Sequence, residues 1–134
     1  MDDIRPGLVG RSILTVTEDD TARSMGSGDL PVFATPALVA LMENAAVNAL
    51  SGYLPEGATT VGAFISVEHV APTPLGMAVS ATATLVEASG NHFTFEITAS
   101  DERGEIGRAR HRRVAVQAER FLRKVAEKQG EDRQ

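Results

Sequence analysis

No cysteine occurs in the 134-residue chain. Its absence excludes disulfides, thiolate nucleophiles and zinc sites built on sulfur, and leaves no sign of an oxidising compartment, so a cytoplasmic location is expected. Tryptophan is also missing, and the aromatics are five Phe and Tyr53. None of them interleaves with the basic run near the end of the chain, as a base-stacking platform for single-stranded nucleic acid requires. Positive charge is in deficit: 13 Lys and Arg stand against 18 Asp and Glu, for a net charge of −5. That balance opposes capture of a polyanionic backbone, and no nucleic-acid partner is expected. Apolar runs fall short of the roughly 18 residues that a membrane span needs. The start, Met1-Asp2-Asp3-Ile4-Arg5, is acidic and lacks the basic and apolar segments of a secretory leader. No membrane partner is expected.

What is present is ordinary globular material, 43% hydrophobic and 23% charged, which fits neither a disordered tail nor a fibrous repeat. Two separate cores would each be too small to bury enough apolar surface, so residues 1–134 are read as one domain. A small, flexible stretch, Ser24-Met25-Gly26-Ser27-Gly28-Asp29, reads as a mobile loop able to cover a pocket. After Pro31 to Pro36, the run from Ala37 to Leu50 is rich in helix formers and closes at Ser51-Gly52. Leu38, Leu41, Met42, Ala45 and Ala49 share one face of that helix, and further apolar residues spread around it, so burial on several sides is expected. Asn44 and Asn48 mark its wet edge.

Downstream, Thr60 to Ala71, Ala78 to Glu87, His92 to Ser100 and Glu105 to Gln117 read as strands. Phe93, Phe95, Ile97 and Ala99 alternate with polar neighbours, which predicts one buried and one wet face. Turn-rich links between the strands suit antiparallel pairing. With an early strand near Ser12 to Thr17 and a charged helix near Glu119 to Lys128, the expected class is α+β. Its architecture is an antiparallel sheet wrapped around one long central helix, with a short C-terminal helix.

That order, together with Val32-Phe33-Ala34-Thr35, Leu41-Met42-Glu43, Val67-Glu68-His69, Ala71-Pro72-Thr73-Pro74 and Glu105-Ile106-Gly107, resembles the hotdog-fold thioesterases, in particular the fluoroacetyl-CoA-specific branch. The resemblance spans nearly the whole chain. It implies hydrolysis of a small acyl-CoA thioester, with Thr35, Glu43 and His69 as catalytic residues and Gly62 and Arg113 near the substrate. It also implies no cofactor beyond the CoA of the substrate, no metal, and a homodimer, with a dimer of dimers as the higher assembly. Two other functions stay open: a non-catalytic acyl-CoA or small-ligand module of the same fold, and an enoyl-CoA hydratase, whose Asp-containing motif is missing around His69.

Each of these residues also has a plainer reading. Thr35 directly before Pro36 matches a helix N-cap followed by proline at the first helical position. Glu43 in an apolar helix costs desolvation unless a partner or water meets it, or unless it points through a gap to solvent. Alternation sets His69 with Ala63, Ile65 and Val67 on an inward face, as a core histidine or as the partner of an inward Glu43. Eight helical residues separate Thr35 from Glu43, roughly 12 Å along the axis, so His69, water or a second subunit must bridge them. Gly62 either lets a backbone amide approach the thioester or marks a bulge. Arg108, Arg110, Arg112 and His111 form either a phosphate patch or a solvated strand face. Two departures bear on specificity. Met25 to Leu30 has no aromatic residue where the family has an aromatic lid, and Pro36 replaces a glycine, leaving Ala37, Leu38 or Gly62 as oxyanion donors.

Overall fold

The computed structural model describes residues 3–130, so Met1 and Asp2 of the acidic start lie outside the described residues. Five antiparallel strands form one sheet: β1 (Val9–Thr15), β2 (Ala58–His69), β3 (Ala78–Ser89), β4 (His92–Asp101) and β5 (Gly104–Gln117). Their spatial order is β1-β3-β4-β5-β2, which leaves β1 and β2 as edges. Among the described residues three α-helices accompany them: the single-turn α1 (Ala22–Met25), the long α2 (Thr35–Ala49) and α3 (Ala118–Glu127). No helix among the described residues is long and apolar enough to cross a membrane.

The sheet curls around α2, as the residue order predicts. Ala37, Leu38, Leu41, Met42, Ala45, Ala46 and Ala49 of the helix are buried, and the strands meet them with Val79, Ala81, Ala83 and Leu85 of β3 and Phe93, Phe95, Ile97 and Ala99 of β4. Burying each of the larger side chains contributes about 1.5–3 kcal/mol. Small residues set the spacing where β1 crosses the helix. Gly10 lies so close that a Cβ there would overlap the backbone of Ala45 and Ala49. Asn44 and Asn48 form the predicted polar edge and tie it to β1: Ser12 Oγ donates to Asn44 Oδ1 at 2.8 Å, and Asn48 Nδ2 to Arg11 O at 2.7 Å.

One irregularity controls which side chains face the helix. The β2–β5 register shifts between Gly62 and Phe64, so Ala63 is an extra, exposed residue. Unbroken alternation sets Gly62 and His69 on opposite faces, and it groups Ala63 with His69. The bulge reverses parity, so that Gly62 above it and Ile65, Val67 and His69 below it all point inward. Phe64, Ser66 and Glu68 point outward as expected.

Candidate active site

Thr35 is not the cap of α2. The cap position is Ala34, and Thr35 and Pro36 are the first two helical residues. The hydroxyl therefore has no amide to satisfy in its own turn, and it meets His69 instead: Thr35 Oγ1 lies 2.8 Å from His69 Nδ1. The helix start and the end of β2 thus bring together two residues 34 positions apart. Partial burial pushes the His69 pKa below the ordinary histidine value, with the Ala71 backbone opposing it, so the ring is neutral at pH 7. Its other nitrogen, Nε2, is buried with no hydrogen-bond partner. A buried polar atom without a partner costs free energy.

Around this pair lies a cavity of about 300 Å³ lined by Ala22, Ser27, Val32, Phe33, Thr35 and His69. The stretch read as a mobile loop is here a tied turn. Gly26 closes α1 in the left-handed conformation, Ser27 N–H donates to Ala22 O, and Arg23 N–H donates to Leu30 O. It borders the cavity with a serine and no ring. Among the oxyanion candidates, Leu38 N–H is taken by Ala34 O at 3.0 Å, which removes it from the set.

Glu43 occupies a second centre. Its side chain is 39% exposed, so it is neither deeply buried nor simply solvated, and its Oε2 lies 3.7 Å from Arg113 Nη1. The expected Glu43–His69 pair does not form within one chain: among the described residues, Arg113 is the ion partner of Glu43 and Thr35 the side-chain partner of His69. Gly62 passes beneath the carboxylate, where a Cβ would stand 2.7 Å from Glu43 Oε2. Both ideas about that glycine are therefore modified. It flanks a bulge, and the space it leaves is filled by the Glu43 carboxylate.

Arg113 is buried and held on three sides. Its Nε donates to Thr60 Oγ1 at 2.9 Å, Nη2 to Thr60 O at 3.1 Å and Nη1 to His111 Nε2 at 3.1 Å. A guanidinium so engaged has little freedom to grip a phosphate. The basic patch also separates by face. Arg108, Arg110 and Arg112 point outward, whereas His111 is 1% exposed and inward with Arg113. The outer arginines have local partners: Arg110 pairs with Glu96 at 3.3 Å, Arg108 with Glu105 and Glu68, and Arg112 lies 5.3 Å from the Phe64 ring centroid. A shallow groove of about 610 Å³ runs over this outer face; Arg108 and Arg110 line it, and Thr35, Glu43, Gly62, His69 and Arg113 do not. His111 and Thr60 were not assigned to the Glu43 centre from sequence. Their signal is parity: His111 stands two positions before Arg113 on one strand.

A family model described as fluoroacetyl-CoA-specific thioesterase matches residues 16–119. The chain is 40% identical over 97 residues to a fluoroacetyl-CoA thioesterase of Streptantibioticus cattleyicolor, covering 72% of this chain and 70% of the relative. Its fold is similar to that of a fluoroacetyl-CoA thioesterase variant solved with acetyl-CoA, with TM-score 0.89, 33% identity, and coverage of 93% of this chain and 98% of that one. A hot-dog-like protein from Thermanaerovibrio acidaminovorans is similar too, with TM-score 0.84, 28% identity and 93% of each chain covered.

Proposed function

The chain belongs to the fluoroacetyl-CoA-specific thioesterase family and is a hotdog-fold thioester hydrolase, and from that premise we propose that it hydrolyses a small acyl-CoA to the free acid and CoA through Thr35, His69 and Glu43. The observation that supports these roles is the Thr35–His69 hydrogen bond, with a buried, unpartnered Nε2 on the other side of the same ring. When the Thr35 hydroxyl donates to Nδ1, Nε2 carries the ring hydrogen and needs an acceptor. A carboxylate in that place orients the imidazole and stabilises it once protonated.

Glu43 of the same chain is the wrong carboxylate, being about two helical turns away and paired with Arg113. A second copy supplies the right one. The free edge of β2 needs a cover. Antiparallel pairing of β2 with itself, about a two-fold axis at Ser66 and with Ala63 as the extra residue of the bulge, sets Gly62 opposite the partner's His69. Glu43, standing over Gly62, then reaches the partner's His69 at Nε2. The functional unit is a homodimer with two shared sites.

In each site His69 Nδ1 takes the hydroxyl proton as Thr35 Oγ1 bonds to the thioester carbon. The carbon–sulfur bond breaks, the proton passes to the CoA sulfur, and water repeats the sequence on the acyl ester to release the acid. Water in place of the hydroxyl gives the same products in one round. Gly62 and Arg113 serve the substrate by setting Glu43, and CoA is the only cofactor-like group, as part of the substrate.

The test is complementation. Glu43→Gln and His69→Ala each lower thiol release from acetyl-CoA by at least about 100-fold. Mixed and reassembled, half the dimers carry one intact site, which restores roughly a quarter of wild-type activity. No recovery on mixing rules out the shared site, and acetyl-CoA binding with no thiol release by the wild-type protein rules out turnover.

A further inference from the structure

The ring of His111 sits between the two elements that set Glu43, and its proton position follows from its partners. Nδ1 is 2.7 Å from Phe64 O, and a carbonyl only accepts, so Nδ1 carries the hydrogen and donates it. Nε2 is 3.1 Å from Arg113 Nη1, and a guanidinium only donates, so Nε2 presents its lone pair. The ring is neutral and in one tautomer. Burial, aided by the Arg113 charge, pushes its pKa below the ordinary histidine value against the opposing effects of the Phe64 carbonyl and Glu43.

Each of these bonds has a consequence at the carboxylate. Phe64 is the residue at which the β2–β5 register resumes after the bulge, so the Nδ1–H bond pins the backbone whose shift turns Gly62 beneath Glu43. Arg113 already spends Nε and Nη2 on Thr60. Its Nη1 donates to His111 Nε2 and stands 3.7 Å from Glu43 Oε2 as its ion partner, and the lone pair of His111 fixes where that nitrogen points.

We propose that His111 is a positioning residue for hydrolysis: through Phe64 O and Arg113 Nη1 it fixes the bulge and the guanidinium between which the Glu43 carboxylate is set. The inference rests on the reading of Glu43 as a catalytic group. It differs from a packing role, because leucine fills the same space without either bond, whereas glutamine keeps an acceptor for Arg113.

The experiment measures kcat and KM for acetyl-CoA in H111L, H111Q, E43Q and the double variant E43Q/H111L, with near-UV circular dichroism to verify packing. The expected result is a kcat for H111L at least about tenfold below wild type with KM within about twofold, as loss of placement rather than of binding demands. H111Q regains most of that kcat, and E43Q/H111L is no slower than E43Q. A loss that H111Q fails to recover, or one that multiplies onto E43Q, overturns the proposal. Wild-type kcat in H111L, with E43Q slow, overturns the role of His111 alone; wild-type kcat in E43Q overturns the reading of Glu43 and the role of His111 with it. Should H111L not fold, nitrogen NMR of the His111 ring in the wild-type protein decides: the Nδ1–H tautomer is expected, and the Nε2–H tautomer overturns it.

Discussion

Replacing Gly62 with alanine adds one methyl group beneath the Glu43 carboxylate. That carbon would stand 2.7 Å from Glu43 Oε2, 3.4 Å from His111 Cε1 and 3.5 Å from Arg113 Nη1. Only the first is a clash. Ordinary contact begins at 3.4 Å, so the carboxylate must retreat by about 0.7 Å, the difference between 3.4 and 2.7 Å. A side chain that is 39% exposed has room to do so. Gly62 is not among the residues with positive φ, so alanine keeps the backbone. Removing a glycine also stabilises the fold by roughly 0.4–1 kcal/mol through the unfolded chain. Crowding and this gain offset each other, and the net change in stability is within about 1 kcal/mol, or about 5 °C in Tm. Turnover responds differently. Misplacing a reacting group by about 1 Å costs on the order of a hundredfold, so a shift of about 0.7 Å lowers kcat by about ten- to a hundredfold. The assay pairs thiol release from acetyl-CoA with a thermal melt of the same samples. Wild-type kcat in a folded Gly62→Ala protein refutes the link between this glycine and the carboxylate. A Tm more than about 10 °C lower refutes the claim that only the flexible end of Glu43 gives way.

Burial lowers the pKa of His69 and His111 from 6.5, so as pH falls the unfolded chain takes up protons first. Their contribution to stability is complete above about 6.5 and is lost as pH falls through the lower folded-state values; a urea midpoint that does not fall between about pH 7 and about pH 5 counts against it. Gly10→Ala sets a Cβ against the backbone of Ala45 and Ala49, 2.7 Å from Ala49 Cα, where nothing flexible can move aside. Urea unfolding is expected to show a loss of about 3 kcal/mol or more, and a wild-type midpoint refutes the close crossing of β1 over α2. Because the stretch from Ser24 to Asp29 borders the cavity with Ser27 and no ring, kcat/KM for fluoroacetyl-CoA over acetyl-CoA is expected below about 200-fold, whereas a ratio on the order of 10⁴ shows that another residue supplies the lid.

Period and punctuation along the chain were enough to read the strands and the two longer helices. The alternation of Phe93 to Ala99, the helix formers from Ala37 onward and the turn residues between strands act over a few neighbours, and α2, β3, β4 and β5 lie within a few residues of where those patterns put them. The wrapping of the sheet around α2 was legible as well, because a helix apolar on several sides has to be enclosed. The motifs carrying Thr35, Glu43 and His69 were likewise visible as text.

What these residues touch was decided only in three dimensions. A Thr–Pro pair at a helix start is locally a cap, and only the arrival of β2, 34 positions later, gives the Thr35 hydroxyl a different partner in His69. Strand parity is a local rule that one extra residue reverses, and the need for that residue arises from pairing with β5, so Gly62 and His69 share a face that alternation alone denies them. Glu43 looks the same in sequence whether it meets His69, solvent or Arg113. The packing of β5 against β2 selects Arg113 within the chain, because a half-exposed carboxylate settles on the nearest buried cation and long-range topology sets which cation that is.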